Sequence, residues 1–150
     1  MSFAATYLDA ETQIVALLQA AKIANVRTIL TAGDLATVQE NQQITPALHV
    51  IYNGESVPSA SDMRGTYGSP QVVYQQWLVV IAVRNVKKIR EGEGAREDAG
   101  PIMNAVIKAL QGVQLSADFP RHLRRATPPK PKYTTGFAYF PLAFTLEVDT

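Results

Sequence analysis

The chain has no cysteine, and only two histidines and one tryptophan among its 150 residues. Without cysteine there are no disulfides and no thiolate metal sites, and the reducing cytosol is a compatible environment. A formal net charge of +1 argues against a dedicated nucleic-acid binder, which is usually strongly basic. Long hydrophobic runs are missing too. The most apolar passage, WLVVIAV from Trp77 to Val83, is far short of the roughly 20 residues needed to cross a bilayer. The first residues, MSFAATYLDAETQ, lack a basic n-region and already contain Asp9 and Glu11, so they do not read as a signal peptide.

What is present fits one domain, the natural expectation at this length. Charge is unevenly spread. Residues 1–75 carry three bases (Lys22, Arg27, Arg64) against six acids, and residues 76–150 carry eleven bases against seven acids. Such asymmetry suits head-to-tail contact between copies or an acidic partner, although a plainly solvated surface is the simpler reading.

Ile14, Leu17, Leu18 and Ala21 recur at i, i+3, i+4, i+7 and predict a helix over 9–24, with Asn25 as its stop. Short strands follow at 26–30 (VRTIL) and 47–53 (ALHVIYN), the second closed by Asn53-Gly54. Between them, 32–40 holds at most one helical turn. The segment 53–71, NGESVPSASDMRGTYGSPQ, has no apolar period and reads as a long flexible loop of the kind that serves partners. A strand over 74–86, starting as early as Val72, is apolar on both faces. Residues 87–96 read as an exposed connection.

A second helix is expected over 98–110 from the stripe Ala99, Ile102, Met103, Val106 and Leu110, with Pro101 in its first turn and Gly112 at its end. The Pro-rich segment 113–134 is irregular, with a short strand near 123–126. The final strand alternates Phe140, Leu142, Phe144, Leu146 and Val148 with more polar positions, and Pro141 suggests an edge or a bulge. Strands joined without helical crossovers predict an α+β fold, single domain: a mainly antiparallel β-sheet with two principal helices packed on one face.

Catalytic chemistry finds little footing, and no catalytic, cofactor-binding or metal residues are assigned. His49 lies inside a strand and His122 among arginines, neither beside a credible nucleophile. Gly92-Glu93-Gly94 is a lone GxG with Glu97 where a third fingerprint glycine would stand, so it reads as a turn. The acids Glu91, Glu93, Glu97 and Asp98 alternate with Arg90 and Arg96, which suits a solvated face better than chelation.

The basic segment 121–132 is harder to dismiss. Arg121, Arg124, Arg125, Lys130 and Lys132 have no acid among them in sequence between Asp118 and Glu147. Phosphate binding is one reading, with Tyr133 and Phe137 available for stacking. Pro128, Pro129 and Pro131 suit a protein-docking or solvated arm instead.

The layout as a whole resembles phage tail terminators, the Mu-type group in particular and the lambda-type terminator more distantly. The likeness rests on WLVVIAV followed by Arg84-Asn85, the helix from Asp98-Ala99-Gly100-Pro101 to Ala109-Leu110-Gln111-Gly112, TAGDLATV (31–38) and FAYFPLAFTLEV (137–148). It implies a structural virion protein at the head-proximal end of the tail, assembled in the host cytoplasm. Such a protein forms a homo-oligomer, typically a hexameric ring. It caps the tail tube protein, faces a head-completion or neck protein, and lets DNA pass through the lumen without sequence-specific binding and without membrane contact. A head-completion or neck adaptor is the neighbouring alternative, and a small nucleic-acid-binding protein acting through 121–132 is the alternative from another class.

A 13-residue strand spans roughly 43 Å, against a diameter of about 38 Å for a compact chain of this length, so the strand either bends or projects. Projection sets Arg84, Val86 and Lys87 near a neighbouring subunit. Arg121, Arg124 and Arg125, with Met63 and Arg64 from the long loop, complete the candidate interface. Helices are expected over one face of the strand and neighbouring subunits over the other, with the parity of each left open.

Overall fold

The computed structural model describes residues 6–32, 44–58, 72–85, 93–134 and 136–150. In chain order the elements are α1 (Ala10–Ala20), β1 (Thr28–Ala32), β2 (Ala47–Ser56), β3 (Val72–Arg84), α2 (Glu93–Leu110), β4 (Gln114–Ser116), β5 (Phe119–His122), β6 (Arg124–Ala126), β7 (Lys132–Tyr133) and β8 (Phe137–Asp149). The expected α+β fold is what the chain adopts. One sheet runs in the order β1-β2-β3-β8-β6, with β7 also on β8, and β4 and β5 form a separate two-stranded ribbon.

The two long strands, β3 and β8, pair antiparallel from Val72↔Asp149 to Arg84↔Phe137 without a break. Both are rich in β-branched and aromatic residues, which fit a pleated surface packed on both faces. The strand from the apolar passage therefore does not project alone. Its last residue, Arg84, is paired, and the next is tied down by Asn85 N–H donating to the Gly136 carbonyl (2.9 Å) and Asn85 Nδ2 donating to the Thr134 carbonyl (3.2 Å).

Parity on β3 divides the protein into two layers. Trp77, Val79, Ile81 and Val83 join Ala10, Ile14 and Leu18 of α1 and Ala99, Ile102, Val106 and Leu110 of α2 in the main core. Both helices lie on this face, as expected. Leu78, Val80 and Ala82 point the other way, into a second cluster with Ala47, Ile51, Tyr139 and Ala143, flanked by Ala126 and Phe137. Neighbouring subunits are not what buries this second face. Leu78 is 4% exposed, and Val80 and Ala82 are 0%, within the single chain.

Several boundaries move, each for a local reason. α1 stops at Ala20, four residues short of the expected end, because Lys22 and then Asn25 take the left-handed conformation (φ 47° and 71°). Helix α2 begins at Glu93 rather than Asp98, so Gly94 lies in its first turn and Pro101 in its interior. Ala95, 2% exposed, extends the buried stripe of Ala99, Ile102 and Val106 back by one turn, and that burial outweighs the glycine. Gly112 ends the helix as expected, at φ 76°, and its N–H donates to the Leu123 carbonyl (2.8 Å).

Asn53-Gly54 does not close β2. The register slips by one residue between Tyr52↔Trp77 and Glu55↔Gln75, a bulge with Gly54 at φ 88°. The extra residue turns Glu55 to the helix face, where it accepts a hydrogen bond from the Tyr7 hydroxyl. Pro141 is neither at an edge nor at a bulge. It faces Val80 of β3, and on its other flank it falls between the pairings of β6 (to 143–145) and β7 (to 138–139). That gap spares β8 a ladder bond where proline has no N–H to give. The segment 113–134 is also more regular than its prolines suggest, holding all of β4 to β7.

The one departure from antiparallel pairing is β1 with β2, which run parallel from Thr28↔Ala47 to Ala32↔Ile51. Parallel neighbours need a connection of about a dozen residues or more, and the stretch between Ala32 and Ala47 supplies it. The start of the pair is fastened by Arg27 N–H on the Pro46 carbonyl (2.8 Å), after a cis Thr45–Pro46 bond. The helical turn expected over 32–40 and the connection 87–92 lie, apart from Ala32, outside the described residues.

Candidate assembly surface

The described interface residues sit beside β8 rather than on it, Arg121 and Arg124 toward its C-terminal end and Arg84 opposite its first residue. At its C-terminal end Arg121 Nε lies 3.0 Å from Glu147 Oε2 and Arg121 Nη1 lies 2.5 Å from Asp149 Oδ1, while Arg124 Nη2 reaches Glu147 Oε1 at 2.8 Å. The hydrogen bond to Asp149 is the main reason the Arg121 guanidinium is held above its ordinary pKa, and burial only partly opposes it. Glu147 therefore clamps two arginines from different strands. In sequence no acid lies among these bases, but the β6–β8 pairing, Arg124↔Thr145 to Ala126↔Ala143, brings two carboxylates beside them. The basic segment is partly neutralised. Arg125, Lys130 and Lys132 remain exposed, with no ion pair among the described residues.

At the other end of β8, Arg84 is exposed with its guanidinium carbon 6.0 Å from the centroid of the Phe137 ring. Phe137 in turn stacks on Tyr139 (6.5 Å), and Tyr133 meets Phe140 edge-on at 5.7 Å. About ten residues of extended strand, roughly 33 Å, separate this group from the Arg121–Glu147 cluster. The expected interface residues thus form two separate patches. Met63, Arg64, Val86 and Lys87 lie outside the described residues.

Sequence reasoning missed a polar network at the far end of the sheet. Gln75, fully buried, donates from Nε2 to the Tyr7 carbonyl (2.8 Å) and accepts from the Trp77 indole N–H (3.0 Å). It staples the residues before α1 to the first part of β3. Burial, aided by the bond to Glu55, pushes the Tyr7 hydroxyl up to about 12, so it stays a neutral donor. The only hint in the sequence was a glutamine two residues before the tryptophan, on the same face of the strand.

His49 lies on the second face, opposite Val80 and 4% exposed. Burial pushes its pKa below the ordinary 6.5, so the folded chain holds it neutral. The unfolded chain takes up that proton first as pH falls. The stabilisation is complete above about 6.5 and is lost as pH drops toward the lower folded value. The thermal midpoint is expected to fall between pH 7 and pH 5, and His49→Gln to fall less over the same range. Parallel curves for the two proteins would remove His49 as the cause.

Among the described residues there is no cluster of metal-ligating side chains and no helix long and apolar enough to cross a membrane. The class this geometry defines is a small α+β domain that presents charged and aromatic patches at the two ends of one long strand pair. The chain belongs to the phage tail terminator family: the family model described as "Phage tail terminator protein" matches residues 3–150. That family consists of structural virion proteins and is not an enzyme family, and it places the chain in the virion tail. A chain of the virion of the native gene transfer agent (GTA) particle has the same fold, with a TM-score of 0.55 over 97% of this chain and 100% of that one. Their sequences are 17% identical, so the likeness speaks for the fold alone. Among curated proteins none matches.

Proposed function

We propose that the chain caps the phage tail tube as a ring, ends tube polymerisation, and forms the surface that joins the tail to the head or neck. The observation that carries this reading is the family match across residues 3–150. A ring needs a heterologous contact whose rotation closes, and a rigid strand pair with distinct chemistry at its two ends can make one. DNA in the lumen is passed without sequence readout, consistent with a basic segment whose Arg121 and Arg124 are already engaged by Glu147 and Asp149.

Mass measurement in solution together with negative-stain imaging on purified tail tubes tests the proposal. Rings seated on tube ends support it, and a chain that stays monomeric and leaves tubes uncapped overturns it. A neck adaptor would instead be captured by portal-side proteins and not by tube protein. For the nucleic-acid alternative, five free phosphate-binding cations would give a steep loss of DNA affinity with salt. With two of them already paired, weak or absent binding is expected.

A further inference from the structure

The two edges of the main sheet are built differently. On the β8 side the edge carries Arg124, Arg125, Lys132 and the prolines at 128, 129 and 131, devices that keep other strands from adding. The opposite edge is β1, Thr-Ile-Leu-Thr-Ala, with no charge and no proline. Leu30 is 44% exposed there and Thr31 is exposed as well. Among the described residues β1 pairs only with β2. In a strand, alternate residues turn both N–H and C=O to one side, so a five-residue strand offers two or three residues' worth of outward backbone groups. An extended backbone satisfies such a row.

We infer that the outer edge of β1 accepts an extended, uncharged segment of the tail-tube subunit as an added strand, an assignment that rests on the capping function proposed above. Symmetry and charge select this occupant. Pairing of β1 with β1 of a second copy is isologous and closes at two copies, which a larger ring does not allow. Pairing β1 with the other edge of a neighbouring copy meets the arginines, Lys132 and the prolines. One tube segment per copy keeps the ring symmetric and meets an uncharged edge with an uncharged strand.

Hydrogen exchange on the wild-type chain, alone and on purified tail tubes, reads the added strand directly, because outward amides of Thr28–Ala32 gain partners. These amides are expected to become protected only on tubes. Leu30→Lys and Thr31→Lys, both at exposed positions, are expected to keep the wild-type thermal midpoint and to bind tubes at least about tenfold more weakly. Capping with unchanged exchange at β1, or lysine variants that bind as wild type does, overturns the inference and leaves the capping function standing. Protection of β1 in rings formed without tubes assigns the edge to a neighbouring copy and overturns it as well. A wild-type chain that leaves tubes uncapped overturns the capping function and the inference together.

Discussion

Trp77→Ala is expected to lower the unfolding free energy by about 3–5 kcal/mol, the range for deleting a buried aromatic side chain. A domain of this size has about 5–15 kcal/mol in total, so the loss removes a large share of its stability and, at the low end of that range, brings the chain close to its unfolding midpoint. Trp77 is fully buried at the centre of β3, its ring lies 5.1 Å from that of Tyr52, and its indole N–H holds Gln75. The loss has two parts. Trp77→Phe keeps most of the apolar contact but leaves Gln75 Oε1 without its donor, which should cost about 1–3 kcal/mol by itself. Adding Gln75→Leu to Trp77→Phe should then cost less than the two single changes summed, since the bond is lost once. Urea unfolding of the four proteins separates these terms. Strict additivity would mean that the Gln75–Trp77 bond contributes nothing.

Val80→Asp is expected to abolish folding, and with it any assembly. A sheet face turned away from both α1 and α2 invites the reading that Val80 awaits a neighbouring subunit, in which case a charge there would spoil the ring and spare the fold. The burial says otherwise: Val80 is 0% exposed in the single chain, between His49 and Pro141 on the flanking strands. An unpaired carboxylate there costs several kcal/mol. Leu30→Lys is the matched control. Leu30 stands on the same face, opposite His49, yet is 44% exposed, and a charge there should change stability by no more than about 0.5 kcal/mol. Circular dichroism melts of the two variants decide the matter, and a folded Val80→Asp would reopen the subunit-covered reading.

The long strands, the helices and the family likeness were all legible in the sequence, because apolar period and strand length are local signals. The parity of β3 was not. With Trp77, Val79 and Ile81 on one face and Leu78, Val80 and Ala82 on the other, period two has no contrast to read, as in any strand buried on both sides. What separates the faces is which helices pack where, a long-range fact. The start of α2 was hidden by Gly92, Gly94 and alternating charge, although Ala95 already stood in phase with Ala99, Ile102 and Val106. The parallel β1–β2 pair was hidden by an unassigned connection whose length alone allowed a crossover.

The candidate interface fared less evenly for the same reason. A basic run can be read directly from residues 121–132, but the carboxylates that engage it lie 23 and 28 residues away, on β8. Only the register of β6 against β8 brings them together. Gln75 likewise looks like an ordinary strand-end polar residue until the Tyr7 carbonyl, 68 residues away, is seen to accept its N–H.

The capping role itself is tested most directly by the length of tail tubes polymerised from tube protein with and without this chain. Tubes assembled with it should be shorter on average and carry it at one end, while tubes assembled without it should run on. Tubes of equal and unbounded length in both cases, with none of the chain at their ends, would contradict the account.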